Sequence, residues 1–206
     1  MTDGRVTRAR ALREERRQQI LYAARGVFAH RGYHASSIAD ILGAANIARG
    51  TFYLHFESKK TIFSELLDSF TDRLSGVVHR VDLTSDVSAR NQLLANVQRI
   101  LAILFDNQDL TTILLREAVG VDTEFDTKIA EFWGHVHLLV KRSLKTGIEL
   151  GILRSIDPEL YAWFVLGGIK EAIAQLVARG ETPDAEQRRR LAENVLDYTL
   201  RGILRT

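Results

Sequence analysis

Proline is absent from the first 157 residues, and Pro158 and Pro183 are its two occurrences in a chain of 206. A residue that lacks an amide N–H and clashes with the preceding turn is a frequent cause of helix interruption. Helices can therefore run unbroken through most of this chain. Apolar residues recur at i, i+3, i+4 and i+7 rather than in alternation, which is the helical period and not that of a strand. These features predict an all-α fold of about nine helices.

The first helix is expected from about Arg10 to Arg31, with Ile20, Ala23, Ala24, Val27 and Phe28 on one stripe and Gly32 as the left-handed residue that ends it. Ser37 reads as an N-cap with Asp40 as its capping-box partner, opening a short helix through Ile38, Ile41, Leu42 and Ala45. Asn46 interrupts it, being one of the few non-glycine residues that accept the left-handed conformation. A third helix covers about Ala48–Phe56, and Ser58 caps a fourth from Lys59 to about Val81. Further helices are expected at about Ser88–Phe105, Leu110–Val119, Phe125–Leu150, Pro158–Arg179 and Pro183–Leu204. Gly120, Gly151 and Gly180 follow three of them. Asp157-Pro158 and Thr182-Pro183 supply an N-cap followed by proline at the first helical position.

Hydrophobic residues make up 46% of the chain and charged ones 26%, an ordinary globular balance that excludes disorder. There is no cysteine, so disulfides, thiolate metal sites and cysteine nucleophiles are excluded. The longest apolar run, Leu160–Ile169, is about half the ~20 residues that span a bilayer. The Arg-rich N-terminus has no apolar core and is not a secretory signal. The expectation is a soluble, cytoplasmic protein without a membrane partner.

The formal net charge of +2 conceals an asymmetry. Residues 1–60 carry 11 Lys/Arg against 5 Asp/Glu, or +6, and residues 61–206 carry 17 against 21, or −4. A basic end on a mildly acidic body points to a polyanion at that end.

Residues 37–56 have the form of a helix-turn-helix, whose second helix lies in the DNA major groove. With Phe52 turned inward, Gly50 and Leu54 point outward, flanked by Thr51 and Tyr53, and Arg49 lies in the first turn. Arg49 can donate two hydrogen bonds to guanine, while the Thr51 methyl and Leu54 can pack on thymine methyls. Gly50 lets the helix come close to the duplex. Ser37, Tyr53, His55 and Lys59 carry donors suited to phosphate oxygens, and the helix starting at Lys59 adds an anion site at its positive end.

The run Ile38-Ala39-Asp40-Ile41, then Ala45 to Phe56 (Ala-Asn-Ile-Ala-Arg-Gly-Thr-Phe-Tyr-Leu-His-Phe) and Glu57-Ser58-Lys59-Lys60 resembles the signature of the TetR family of bacterial transcriptional regulators. Ala23-Ala24, Val27-Phe28-Ala29 and Arg31-Gly32-Tyr33 are similar to that family's first helix. Asn46 stands where the family usually has glycine. Ala48 stands where a capping serine is common, which costs about 1 kcal/mol of capping and one phosphate donor. Ala39 lacks a side chain that many relatives use on DNA.

The resemblance implies a homodimeric repressor released from a palindromic operator by a small-molecule effector. Its expected DNA contacts are Ser37, Ala48, Arg49, Gly50, Thr51, Tyr53, Leu54, His55, Lys59 and Lys60. The implied organisation is a basic arm at 1–13, a DNA-binding domain at 14–74 and a ligand-binding and dimerisation domain at 75–206. The family has a cavity between its middle helices; the candidates for lining it here are Phe105, Arg116, Trp133, His137 and Trp163. Arg116-Glu117 reads equally as a buried pair facing an effector or as a solvated pair.

The helix at Pro158–Arg179 is apolar almost all round and so is expected to be buried on both sides. The family's last two helices form the dimer interface, which places Trp163, Gly167, Gly168, Leu196 and Leu200 there. His135 and His137 are two apart and cannot share an ion on a helix, so no metal is expected, and no cofactor. No Gly-x-Ser-x-Gly, phosphate loop or dinucleotide fingerprint occurs, so no enzyme is expected. The alternatives are an activator of the same fold, or a helical ligand- or protein-binding module with a vestigial DNA-binding head.

Overall fold

The computed structural model describes residues 3–116 and 122–201. They form α1 (Asp3–Arg31), α2 (Ile38–Ala45), α3 (Arg49–Tyr53), α4 (Lys59–Gly76), α5 (Ala89–Asp106), α6 (Gln108–Arg116), α7 (Thr123–Glu149), α8 (Pro158–Ala178) and α9 (Ala185–Arg201), with no strand among the described residues. The expected ends at Val119 and Leu204, and Gly120, lie outside them.

The caps form where local chemistry puts them. Ser37 and Asp40 make a reciprocal capping box, and Ser58, Ser88 and Asp157 each accept a backbone N–H of the turn that follows. Asn46 sits at φ 51° and ψ 53° at the end of α2, the left-handed geometry that turns the chain into α3. Gly32, Gly151 and Gly180 also have positive φ.

Four boundaries differ from expectation. α1 begins at Asp3 rather than near Arg10, so most of the expected basic arm is helix. Its arginines, alanine and leucine are good helix formers, and nothing after Gly4 interrupts them. α3 has five residues and stops at Tyr53, because the N–H groups of His55 and Phe56 both close on Phe52 O at 2.9 Å. α4 stops at Gly76. Beyond it, the Val77 carbonyl accepts from Arg99 Nε at 2.8 Å, and Asn96 pairs with both the N–H and C=O of His79, at 2.9 and 2.7 Å. These bonds hold the chain out of helix where periodicity suggested it. α9 is capped by Asp184 and not Thr182: Asp184 N–H donates to Gln187 Oε1, and Gln187 N–H to Asp184 Oδ1, each at 2.8 Å.

α1 to α4 pack around Ile20, Ala24, Phe28, Ile41, Phe52, Phe56, Ile62 and Phe63, all essentially inaccessible. This cluster runs on into Leu110, Ile113, Leu114, Phe125, Ile129 and Phe132 of α6 and α7. The N-terminal head therefore shares its core with the C-terminal body. α7 packs along α8, and α5 along α9. α8 is long and apolar enough to cross a membrane by length and composition alone, although its longest uninterrupted apolar run is only ten residues; 17% of that stretch is buried.

Candidate nucleic-acid interface and ligand cavity

α2 and α3 are joined by Asn46-Ile47-Ala48, and Ile47 N–H closes the turn on Leu42 O at 3.2 Å. Phe52 and Phe56 anchor α3 from below. Its opposite side presents Ala48, Arg49, Gly50, Tyr53 and Leu54 together to solvent, with Leu54 70% exposed. The exposed Arg49 guanidinium lies 5.8 Å from the Tyr53 ring centroid. Thr51 and His55 are half-buried at the flanks. Partial burial, with Arg13, Arg17 and Arg16 nearby, holds His55 below the ordinary imidazole range, so it is neutral at pH 7.

A Cβ added to Gly50 would meet nothing within 4 Å, so nothing inside the chain requires glycine there. Gly50→Ala is expected to leave the fold as stable or raise it by about 0.5–1 kcal/mol, while weakening DNA binding by holding the helix off the groove. A thermal melt beside a DNA titration separates the two effects.

Three expected DNA contacts are committed elsewhere. The Ser37 hydroxyl donates to Asp40 Oδ2 at 2.7 Å while accepting from Asp40 N–H at 3.2 Å. The Lys59 ammonium turns inward, donating to Tyr33 O and Ser36 O at 2.8 Å, and lies 4.5 Å from the Tyr33 ring centroid. The carbonyls ending the α1–α2 connection lack helical partners, and a cation satisfies them. Lys59 is thus a brace; Lys59→Gln is expected to cost about 1.5–3 kcal/mol in urea unfolding rather than merely to flatten the salt dependence of DNA binding. Lys60 pairs with Glu124 at 2.9 Å and Asp122 at 3.6 Å, because α4 starts against the acidic first turn of α7.

Other contacts bind head to body. Arg25 of α1 makes two hydrogen bonds to Asp109 of α6, at 2.6 and 2.7 Å. The Asn107 side chain accepts from Arg25 and from Arg73 of α4. Lys128 of α7 reaches Asp68 of α4 at 3.5 Å. Phe125 of α7 stacks on Tyr33 and Phe63 at 4.6 and 4.7 Å between centroids. Burial, with Asp122 and Glu124 nearby, pushes the Tyr33 phenol up to about 12.

Helices α4 to α9 enclose a cavity of about 410 Å³, within the usual range for a small-molecule site. Its wall is mainly Leu, Ile and Val, with Phe132 and Trp133, and its charged members are Arg80, Arg142 and Lys170. The Lys170 ammonium lies 4.5 Å from the Trp133 ring centroid. Of the candidates for lining it, Trp133 lies on this wall, and Phe105, His137 and Trp163 do not. Phe105 packs behind it with Leu101, Ile173 and Ala192. His137 lies about 40° further round α7 than Trp133 and stacks on Trp163 at 3.9 Å between centroids, outside the cavity. The Arg116 side chain lies outside the described residues.

Leu196 and Leu200, expected at a dimer interface, are buried at 5% and 8% exposure and line the cavity. They continue the Ala192 stripe at intervals of four, and that stripe faces inward. The outer side of α8 and α9 instead carries Trp163, Phe164, Gly167, Gly168 and Tyr198, Tyr198 being 78% exposed. Phe164 and Tyr198 were not singled out by sequence; an apolar helix at every angle hides which side is outermost. Among the described residues no group of His, Asp or Glu could hold a metal ion.

The family model for bacterial regulatory proteins of the tetR family matches residues 20–66, and that for the tetracyclin repressor-like C-terminal domain matches residues 86–206. The transcriptional repressor KstR2 of Rhodococcus jostii is 31% identical over 155 residues, covering 70% of this chain and 72% of the relative. The fatty acid metabolism regulator protein of Bacillus subtilis is 28% identical over 189 residues, 90% and 94% of the two chains. The solved structure of the transcriptional regulator FadR from Bacillus subtilis in complex with stearoyl-CoA superposes with a TM-score of 0.72 at 26% identity, covering 90% of this chain and 98% of that one. With the helix-turn-helix, the helical body and both family matches in place, this chain belongs to the TetR family of DNA-binding transcriptional regulators.

Proposed function

We propose that this regulator is a cytoplasmic homodimeric repressor, released from a palindromic operator when a long-chain acyl-CoA thioester occupies its core. The observation that carries this reading is the cavity: an almost wholly apolar channel bounded by the cations Arg80, Arg142 and Lys170. Its chemistry suits an acyl chain with an anionic head. The relatives named for fatty acid metabolism and for a stearoyl-CoA complex support the same ligand class.

Coupling follows from the contacts. α6 and α7 line the cavity and also hold the head through Arg25–Asp109, Lys60–Glu124 and Phe125. A ligand that binds best to one arrangement of α6 and α7 biases the spacing of two reading helices, which must sit about 34 Å apart on successive major grooves. Only its differential affinity for the two arrangements can drive release.

The exposed apolar side of α8 and α9 is the proposed contact between protomers, because an uncovered patch of that kind is costly in a monomer. Phe164→Glu places a carboxylate in it and is expected to give monomers in analytical ultracentrifugation, with loss of operator affinity. A dimer unaffected by that change would exclude this face.

The reading is tested by titrating stearoyl-CoA, stearate and free CoA into a complex of the protein with operator DNA. Release by stearoyl-CoA but not by CoA is the expected result. No release by any acyl ligand would overturn the assignment.

A further inference from the structure

The apolar stripe of α1, Ile20, Ala24 and Phe28, is buried against the head. Traced towards the N-terminus in helical steps of three, four and three residues, it continues as Arg17, Arg13 and Arg10. The core-facing side of the helix thus becomes an arginine row once it passes the edge of the core. From residue 6 to residue 19 every side chain is exposed except the half-buried Arg17. These outer turns have no apolar partner to explain their orientation.

The row runs past the C-terminal end of α3. Arg17 donates to His55 O at 2.8 Å and pairs with Glu65; Arg13 Nη2 lies 3.4 Å from Leu54 O. Leu54 belongs to the exposed face of α3, so Arg13 stands beside the candidate reading surface. Arg10 lies three residues further, about 4.5 Å along the axis, and has no ion-pair partner among the described residues. The two guanidinium groups thus stand about one helical turn apart on the same side of α1, next to the surface that would face the DNA strand flanking the half-site. The depression of the His55 imidazole by Arg13, Arg17 and Arg16, after its burial, reflects the same positive field.

We infer that the outer turns of α1 form a rigid basic rail on the DNA backbone beside each half-site, with Arg10 and Arg13 neutralising phosphates. The inference rests on α3 being the reading helix. Continuity with that face and the sign of the charge commit the rail to duplex DNA. A helical rail differs from a disordered cationic tail in one respect: the side on which a charge sits matters. Arg8 lies about 160° round the helix from Arg10, on the opposite side, and provides the control at identical net charge.

The full-length Arg10→Gln, Arg13→Gln and Arg8→Gln variants are titrated by fluorescence anisotropy against the operator selected by the unaltered protein and against unrelated duplex, over a series of salt concentrations. The rail predicts that Arg10→Gln and Arg13→Gln each reduce the slope of log K against log salt by about 0.9. Both duplexes weaken alike, so the specificity ratio is unchanged, and Arg8→Gln leaves the slope where it was. Equal effects of Arg10→Gln and Arg8→Gln, or none from Arg10→Gln and Arg13→Gln, would overturn the rail while leaving α3 as the reading helix. Failure of the unaltered protein to select any operator would overturn both.

Discussion

Phe125→Ala is expected to lower the free energy of unfolding by about 3–5 kcal/mol, the usual cost of truncating a fully buried phenylalanine. Its ring is 2% exposed and packs face to face with Tyr33 and Phe63 and edge-on to His34, at 4.6, 4.7 and 4.7 Å between centroids. Through it α7 reaches three rings of the head at once. The variant is therefore expected to lose the concerted melting of head and body: urea transitions followed by Trp133 and Trp163 fluorescence and by far-ultraviolet ellipticity should separate, where those of the unaltered chain coincide. Ligand release of DNA should weaken with it, because Phe125 joins α7, which lines the cavity, directly to Tyr33 and Phe63 of the head. Coincident transitions with a loss below about 1 kcal/mol would show that the aromatic cluster does not join the two parts.

Arg49→Ala is expected to reduce operator affinity by about 1–3 kcal/mol, or roughly 5- to 150-fold, and to relax preference at one base pair. The side chain is exposed and lies over Tyr53, so truncation removes little from the fold. A small change in melting temperature with a large change at a single operator position is the expected combination. Uniform weakening across all sequences would instead make Arg49 a phosphate contact, and unchanged binding would remove it from the interface.

Much of this architecture was legible because the relevant physics is local. Ser37 with Asp40, Ser58, Ser88 and Asp157-Pro158 cap helices through hydrogen bonds spanning two or three residues. Asn46 and the glycines at 32, 151 and 180 take left-handed geometry that few other residues accept. The outward side of α3 followed from one inward anchor, Phe52, and the helical period.

What escaped depends on partners distant in sequence. Lys59 is a cation at a helix start, and only the carbonyls of Tyr33 and Ser36 turn it inward. α4 ends early because Asn96 and Arg99 claim the backbone that follows. Leu196 and Leu200 are apolar positions on an amphipathic helix; periodicity shows that they are covered but not by what. The cavity arises where six helices fail to close completely, so its wall is set by the shapes of residues far apart along the chain.

The central claim is that this protein reads particular DNA sequences as a two-fold dimer. It is tested most directly by incubating the purified protein with sheared genomic DNA of the source organism at about physiological salt and sequencing what it retains. Non-specific electrostatic binding is weak under those conditions while specific complexes persist. The account predicts enrichment of one or a few near-palindromic sites whose half-site centres are about one helical turn, or a whole number of turns, apart. Retention spread evenly over the genome, or absent from acyl-CoA-free protein, would contradict it.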